Sequence, residues 1–261
     1  FKTSSKQVQQ YANEAYKTAG LSANEYMETA TSFSASLLQS LGGDTAKAAA
    51  YADRAVTDMS DNANKMGTNM ASIQDAYQGF AKQNYTMLDN LKLGYGGTKT
   101  EMERLIADAS AMTAEQKKLN VAVDAGDLSF GNIVNAISVM QEHLGIAGTT
   151  AEEAAETIDG SAKATKSAWQ NLVTGMANAN LDLSALIENF VESVHTFLDD
   201  NLIPRIQIML PRMVEALNQL IGTMAPYIAP ALQMLLPVIV QGISALVSGI
   251  VQALPAVVSA I

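Results

Sequence analysis

Through residues 1–200 apolar side chains recur every three or four positions, and glycines separate the runs. This is the period of helices that each bury one face, with a break between them. The most regular run is Met70, Ile73, Tyr77, Phe80, Asn84, Met87 and Leu91, a candidate helix seam in which steps of three and four alternate, as along a helix that packs over its whole length. A weaker run precedes it at Ala48, Ala52, Ala55, Met59, Ala63 and Met66. Asn84 either fixes register in a coiled coil or lies where an ordinary helix surface turns slightly. Breaks are expected at Gly42-Gly43, Gly67, Gly94-Tyr95-Gly96-Gly97 and Gly145/Gly148. Helix starts are expected at Ser22/Glu25, Thr98/Glu101, Thr113/Gln116 and Thr149/Glu152, where a hydroxyl three residues before Glu or Gln lets both side chains satisfy orphan N–H groups. Within 182–198, Leu183, Leu186, Ile187, Phe190, Val194, Phe197 and Leu198 form one face opposite Glu188, Glu192, His195 and Asp199, and Asp182 is placed to cap. No period-two stretch suggests a strand. The predicted fold class is all-α: long helices separated by Gly breaks, followed by a Pro-punctuated hydrophobic helical tail.

The tail obeys a different pattern. All six prolines (Pro204, Pro211, Pro226, Pro230, Pro237 and Pro255) follow residue 200, and no charged residue occurs from Ala216 to Ile261. Pro is tolerated in the first turn of a helix and not in its interior, so the segment reads as short helices each opened by Pro, or as kinked longer ones. Val238 to Leu254 is free of Pro and charge; as helix it spans about 25 Å, a marginal length against a ~30 Å hydrocarbon core. Within it Gln241, Ser244, Ser248 and Gln252 recur at helical spacing. This candidate pore or oligomer stripe is either the interior of a membrane assembly or the outer face of a core helix. The composition divides the chain into 1–166, charged and Ala-rich; 167–200, an amphipathic helical linker; and 201–261, a candidate membrane-inserting region.

Charge and chemistry narrow the function. The 16 Lys and Arg against 26 Asp and Glu give a net charge of −10, which argues against sequence-specific nucleic-acid binding, since affinity for phosphate rests on cationic side chains. The chain has no Cys, and therefore no disulfide, thiol nucleophile or thiolate metal site. Glu192-x-x-His195 has the spacing of a di-iron bundle ligand pair, but no second copy exists. Gly94-Tyr95-Gly96-Gly97-Thr98-Lys99-Thr100 lacks the phosphate-loop spacing and a preceding strand. His143 falls at a helix end, where a cation suits the dipole, and Trp169, in register with Leu172, Val173 and Met176, reads as a packing anchor. The expectation is a protein with no catalytic residue, no cofactor and no metal. Its start at Phe1 and its end within an apolar stretch suggest an internal or processed piece of a longer protein.

The block from Tyr51 to Gly67 (YADRAVTDMSDNANKMG), then Ile73 to Tyr85 (IQDAYQGFAKQNY) and Met87 to Ile106 (MLDNLKLGYGGTKTEMERLI), resembles the tail tape measure proteins of long-tailed phages and prophages of Gram-positive bacteria. Asn201-Leu202-Ile203-Pro204 and the Pro-punctuated tail are similar to the region that follows this block in such proteins, and the resemblance covers about residues 30–215. It implies a virion structural protein, a helical rod in the tail-tube lumen that sets tube length in assembly. On infection such a rod is released and helps the genome cross the host membrane. The implied partners are copies of itself in a small symmetric oligomer such as a trimer, tail-tube and tail-tip proteins, and the host membrane. Inside a tail the helices of 1–200 would associate lengthwise; in isolation the Gly breaks permit them to fold back. The alternative is a pore-forming toxin or phage-tail-like bacteriocin component with a membrane-inserting helical tail.

Overall fold

The computed structural model describes residues 4–177 and 182–258, and among them helices are the regular structure throughout, with no strand. The fold is all-α. Contacts divide the chain into two units, Phe1–Ile203 and Pro204–Ile261.

The first unit holds α1 (Ser5–Thr18), α2 (Ala23–Ser40), α3 (Thr45–Met66), α4 (Met70–Ala81), α5 (Lys99–Ala111), α6 (Thr113–Leu119), α7 (Phe130–His143), α8 (Thr149–Glu156), α9 (Ile158–Met176) and α10 (Leu183–His195). A 3₁₀ turn at Leu88–Leu91 and a π-helical turn at Thr196–Leu202 complete it. The helix α7 is the axis of the core: every residue from Phe130 to Gln141 is buried, and α2, α3, α4, α5 and α6 all pack on it. Such all-round burial encloses even the polar side chains of this stretch, Asn132, Asn135, Ser138 and Gln141. Phe33 of α2 meets the Phe130 ring edge-on at 5.8 Å, and the Ala run of α3 (Ala48, Ala52, Ala55, Met59) is buried, its small side chains bringing helix backbones close.

Several ends form as the spacing predicts. Ser22 and Glu25 make both bonds of a capping box, Thr98 accepts from the Glu101 N–H, and Asp182 accepts from the N–H groups of Ser184 and Ala185. Two do not. The α6 start has Met112 at its cap, and the Gln116 amide donates instead to the Ala109 and Ser110 carbonyls. The α8 start is capped from another helix: the N–H groups of Gly148 and Thr150 donate to the Asp61 carboxylate of α3 at 2.6 and 2.8 Å.

The seam from Met70 to Leu91 requires a correction: it is not one helix. Ile73, Tyr77 and Phe80 are buried on α4 and Met70 packs partly against the core, but α4 stops at Ala81. Asn84 N–H donates to the Gly79 carbonyl and Gln83 N–H to that of Phe80, with Gln83 at φ 59°, a Schellman ending that the helix reaches without the usual Gly. Asn84 is exposed, its Oδ1 accepting from the N–H and hydroxyl of Thr86. It is a turn former rather than a register device. Met87 is 39% exposed, and Leu91 returns to the core from the 3₁₀ turn. The boundary read at 166/167 falls inside α9.

The described residues of the second unit belong to one helix, α11 (Ile203–Val258), which continues through its prolines rather than dividing into short segments. Pro204 sits in its first turn, where a missing N–H costs nothing. Each later proline leaves the carbonyl four residues earlier without its helical donor.

Candidate functional site: an apolar helix and a buried carboxylate seam

In α11 the side chains described beyond Pro204 are exposed, including Ile221, Met234, Val238 and Ile239, each more than half accessible. Leu232–Gly249 is the one stretch among the described residues long and apolar enough to cross a membrane. Gln241, Ser244 and Ser248 lie along it at steps of three and four, on one side of the helix; Gln252 follows on the same helix, with its side chain outside the described residues. Arg205, Arg212 and Glu215 are the only charged residues of α11.

Chemistry of another kind lies inside the first unit, and the sequence reading missed it. Tyr51, Arg54, Asp58 and Asp61 on α3 follow one another at steps of three and four, beside Asn132, Asn135, Ser138 and Gln141 at every third position of α7. Arg54 donates to Asn135 Oδ1 at 2.9 Å, and Asn135 donates to the Tyr51 hydroxyl at 3.0 Å. Ser138 Oγ bonds the Asp58 carboxylate and the Val134 carbonyl, the latter at 3.0 Å. A hydroxyl carries one proton, so full satisfaction of both contacts requires a proton on Asp58. Burial pushes Asp58 up to about 7, against the Ser138 hydroxyl bond, with the Asp61 and Asp53 charges adding to the rise and Arg54 opposing it. Burial likewise raises Asp53 to about 6, opposed by its bond from Tyr26, and raises Asp61 despite the backbone bonds it accepts. Gln141 is buried with neither amide atom bonded. The signal available in sequence was the threefold spacing of Asn, Asn, Ser and Gln through an otherwise apolar helix.

The remaining candidates are engaged elsewhere. Glu192 pairs with Lys17 at 2.6 Å, while His195 faces Asp199 at 3.4 Å and Asp200 at 3.6 Å, so Glu192 and His195 do not converge on a common point. Among the described residues no group of three or more His, Asp or Glu side chains is placed to hold a metal. The Gly94–Thr100 stretch is a turn in which Gly96 N–H donates to Glu101 and Arg104 donates to the Gly94 carbonyl. His143 pairs with Glu115 at 2.9 Å. Trp169 packs on Phe190 at 5.2 Å between ring centres but remains 49% exposed. A cleft of ≈ 240 Å³ lies among α1, α8, α9 and α10, walled by Ala151, Ala154, Ala155 and Ala164 with Tyr16 and Ser161.

No protein family, curated protein or solved structure was found to match the chain. The class defined by the structure is therefore physical: an all-α protein in which a helical unit with a closed core is joined to a long, exposed, apolar helix containing one candidate membrane span.

Proposed function

We propose that the protein is a structural component of a phage tail, of the tape measure kind, whose α11 enters the host membrane when the tail delivers its genome. The observation that carries the membrane step is α11 itself: it runs 43 residues from Ala216 to Val258 without a charge, its described side chains are exposed, and it includes a membrane-length apolar stretch. An exposed apolar surface of that extent is costly in water. The tail role rests on the resemblance of the Tyr51–Ile106 block. The acidic balance supports it physically, since a protein that DNA must displace from a tube should not hold phosphate tightly.

The partners in this reading are further copies of the chain, tail-tube and tail-tip proteins, and the host membrane. The chain carries no catalysis; it acts by occupying space, by helix packing and by partitioning into lipid. Imaging the parent particle by cryo-EM, with mass spectrometry of the purified tail, tests the proposal. The expected result is helical density from several copies of this chain in the tube lumen. A tail that lacks the chain would contradict the tail role and favour a secreted pore-former with the same α11.

A further inference from the structure

The polar positions of α11 extend well beyond Gln241, Ser244 and Ser248. At about 100° per residue, Gln219, Gln233 and Gln241 fall on one side of the helix with Pro226, Pro230 and Pro237. Thr223, Ser244 and Ser248 complete the same stripe, which is about 100° wide. Large apolar residues take most of the rest of the circumference, with Asn218 and three glycines (Gly222, Gly242 and Gly249) among them and Ile221 and Ile239 directly opposite the stripe.

The prolines give this stripe a second property. Pro226, Pro230 and Pro237 have no N–H, so the carbonyls of Gly222, Pro226 and Gln233 have no helical donor four residues on. These free acceptors sit at or beside the stripe, among Gln side chains that each carry two donors. Its N-terminal end holds Arg212 and Glu215, opposite charges on the same side of the helix. Neither is in an ion pair among the described residues.

We infer that α11 associates with further copies of itself in parallel, with the proline–glutamine–serine stripe turned inward and the large apolar residues outward. Parallel alignment sets Arg212 of one copy beside Glu215 of the next, Gln219 within one turn of the Gly222 carbonyl, and Gln233 level with its own carbonyl in the neighbouring copy, both carbonyls needing donors. Outward apolar residues require a nonpolar surrounding, and here the inference rests on the membrane reading above. In water the packing would be the reverse, with Ile221 and Ile239 inside. The stripe from Arg212 to Ser248 is about 54 Å long, longer than a hydrocarbon core of about 30 Å, so the ordered contact continues beyond the bilayer at one end or both.

The absence of Cys makes the arrangement directly measurable. Four single variants of the full chain, Gln219→Cys, Ser248→Cys, Ile221→Cys and Ile239→Cys, are incubated with phosphatidylcholine–phosphatidylglycerol vesicles and oxidised, and vesicle-bound and free chains are separated by flotation. Gln219 and Ser248 lie about 44 Å apart along the helix, so cross-linking of like residues at both levels requires parallel copies. The expected result is disulfide dimer from Gln219→Cys and Ser248→Cys at several times the level from Ile221→Cys and Ile239→Cys. Dominant cross-linking through Ile221→Cys and Ile239→Cys, dimer at only one of the two stripe levels, or no dimer above collision background would overturn the inference. Flotation reports separately on the membrane reading: a chain that floats but gives no stripe dimer loses the interface and keeps the membrane reading, while a chain that fails to float and cross-links through Ile221→Cys and Ile239→Cys contradicts the membrane reading and the inference with it.

Discussion

Asp58 ties the stability of the first unit to pH. Its carboxyl titrates near 7 in the fold because burial disfavours the charge, against about 3.9 in an unfolded chain. The folded state therefore binds more protons between these limits, and stability falls as pH rises through that window. The loss is on the order of several kcal/mol across the window, and Asp53, pushed up to about 6 by burial, works in the same direction. Replacing Asp58 by Asn keeps a group that can donate to Ser138 and removes the titration. Urea unfolding of the full chain at pH 5 and pH 8 should show the parent losing stability at the higher pH and D58N losing less, with D58N the more stable at pH 8. Equal pH dependence in the two proteins would place the coupling elsewhere. This seam was only half legible in the sequence. The spacing of Asn132, Asn135, Ser138 and Gln141 is visible, but that Asp58 and Arg54 meet it depends on α3 lying against α7, which periodicity within either helix does not specify.

At the scale of the element, local signals succeeded where the chain alone determines the end of a helix. Ser22 with Glu25 and Asp182 cap as their spacing predicts because both partners lie within one turn. The start of α8 escaped because its cap, Asp61, arrives from α3. The seam from Met70 to Leu91 escaped because Gln83 adopts the left-handed conformation that Gly usually signals. Two substitutions of opposite sign follow. Gln83→Gly relieves that conformation and should stabilise the unit by about 0.5–1 kcal/mol. Gly160→Ala should destabilise it by about 1–3 kcal/mol, because a Cβ there would stand 2.3 Å from the Glu153 carbonyl oxygen where α9 turns back on α8. Thermal melts of the two variants beside the parent decide both signs.

At the scale of the whole molecule, the division into two regimes was legible because it is compositional. The prolines begin at the Ile203–Pro204 division, and charge ends beyond it, at Glu215. The folding-back of α1 to α10 into one unit, with α2 to α6 packed on α7, was not, since the same apolar faces would serve helices laid lengthwise against other copies. Nor does helical periodicity say what covers α11. In the proposed function, lipid covers the outward face of α11. Flotation of the full chain with phosphatidylcholine–phosphatidylglycerol vesicles, beside Val240→Lys at the middle of Leu232–Gly249, reads this out: a lone charge at the bilayer centre costs about 3 kcal/mol on the milder scales, while an exposed helix in water accepts Lys readily. The parent should float with the vesicles and V240K float far less; a parent that stays in solution, or a variant that floats equally well, would overturn the membrane role of α11.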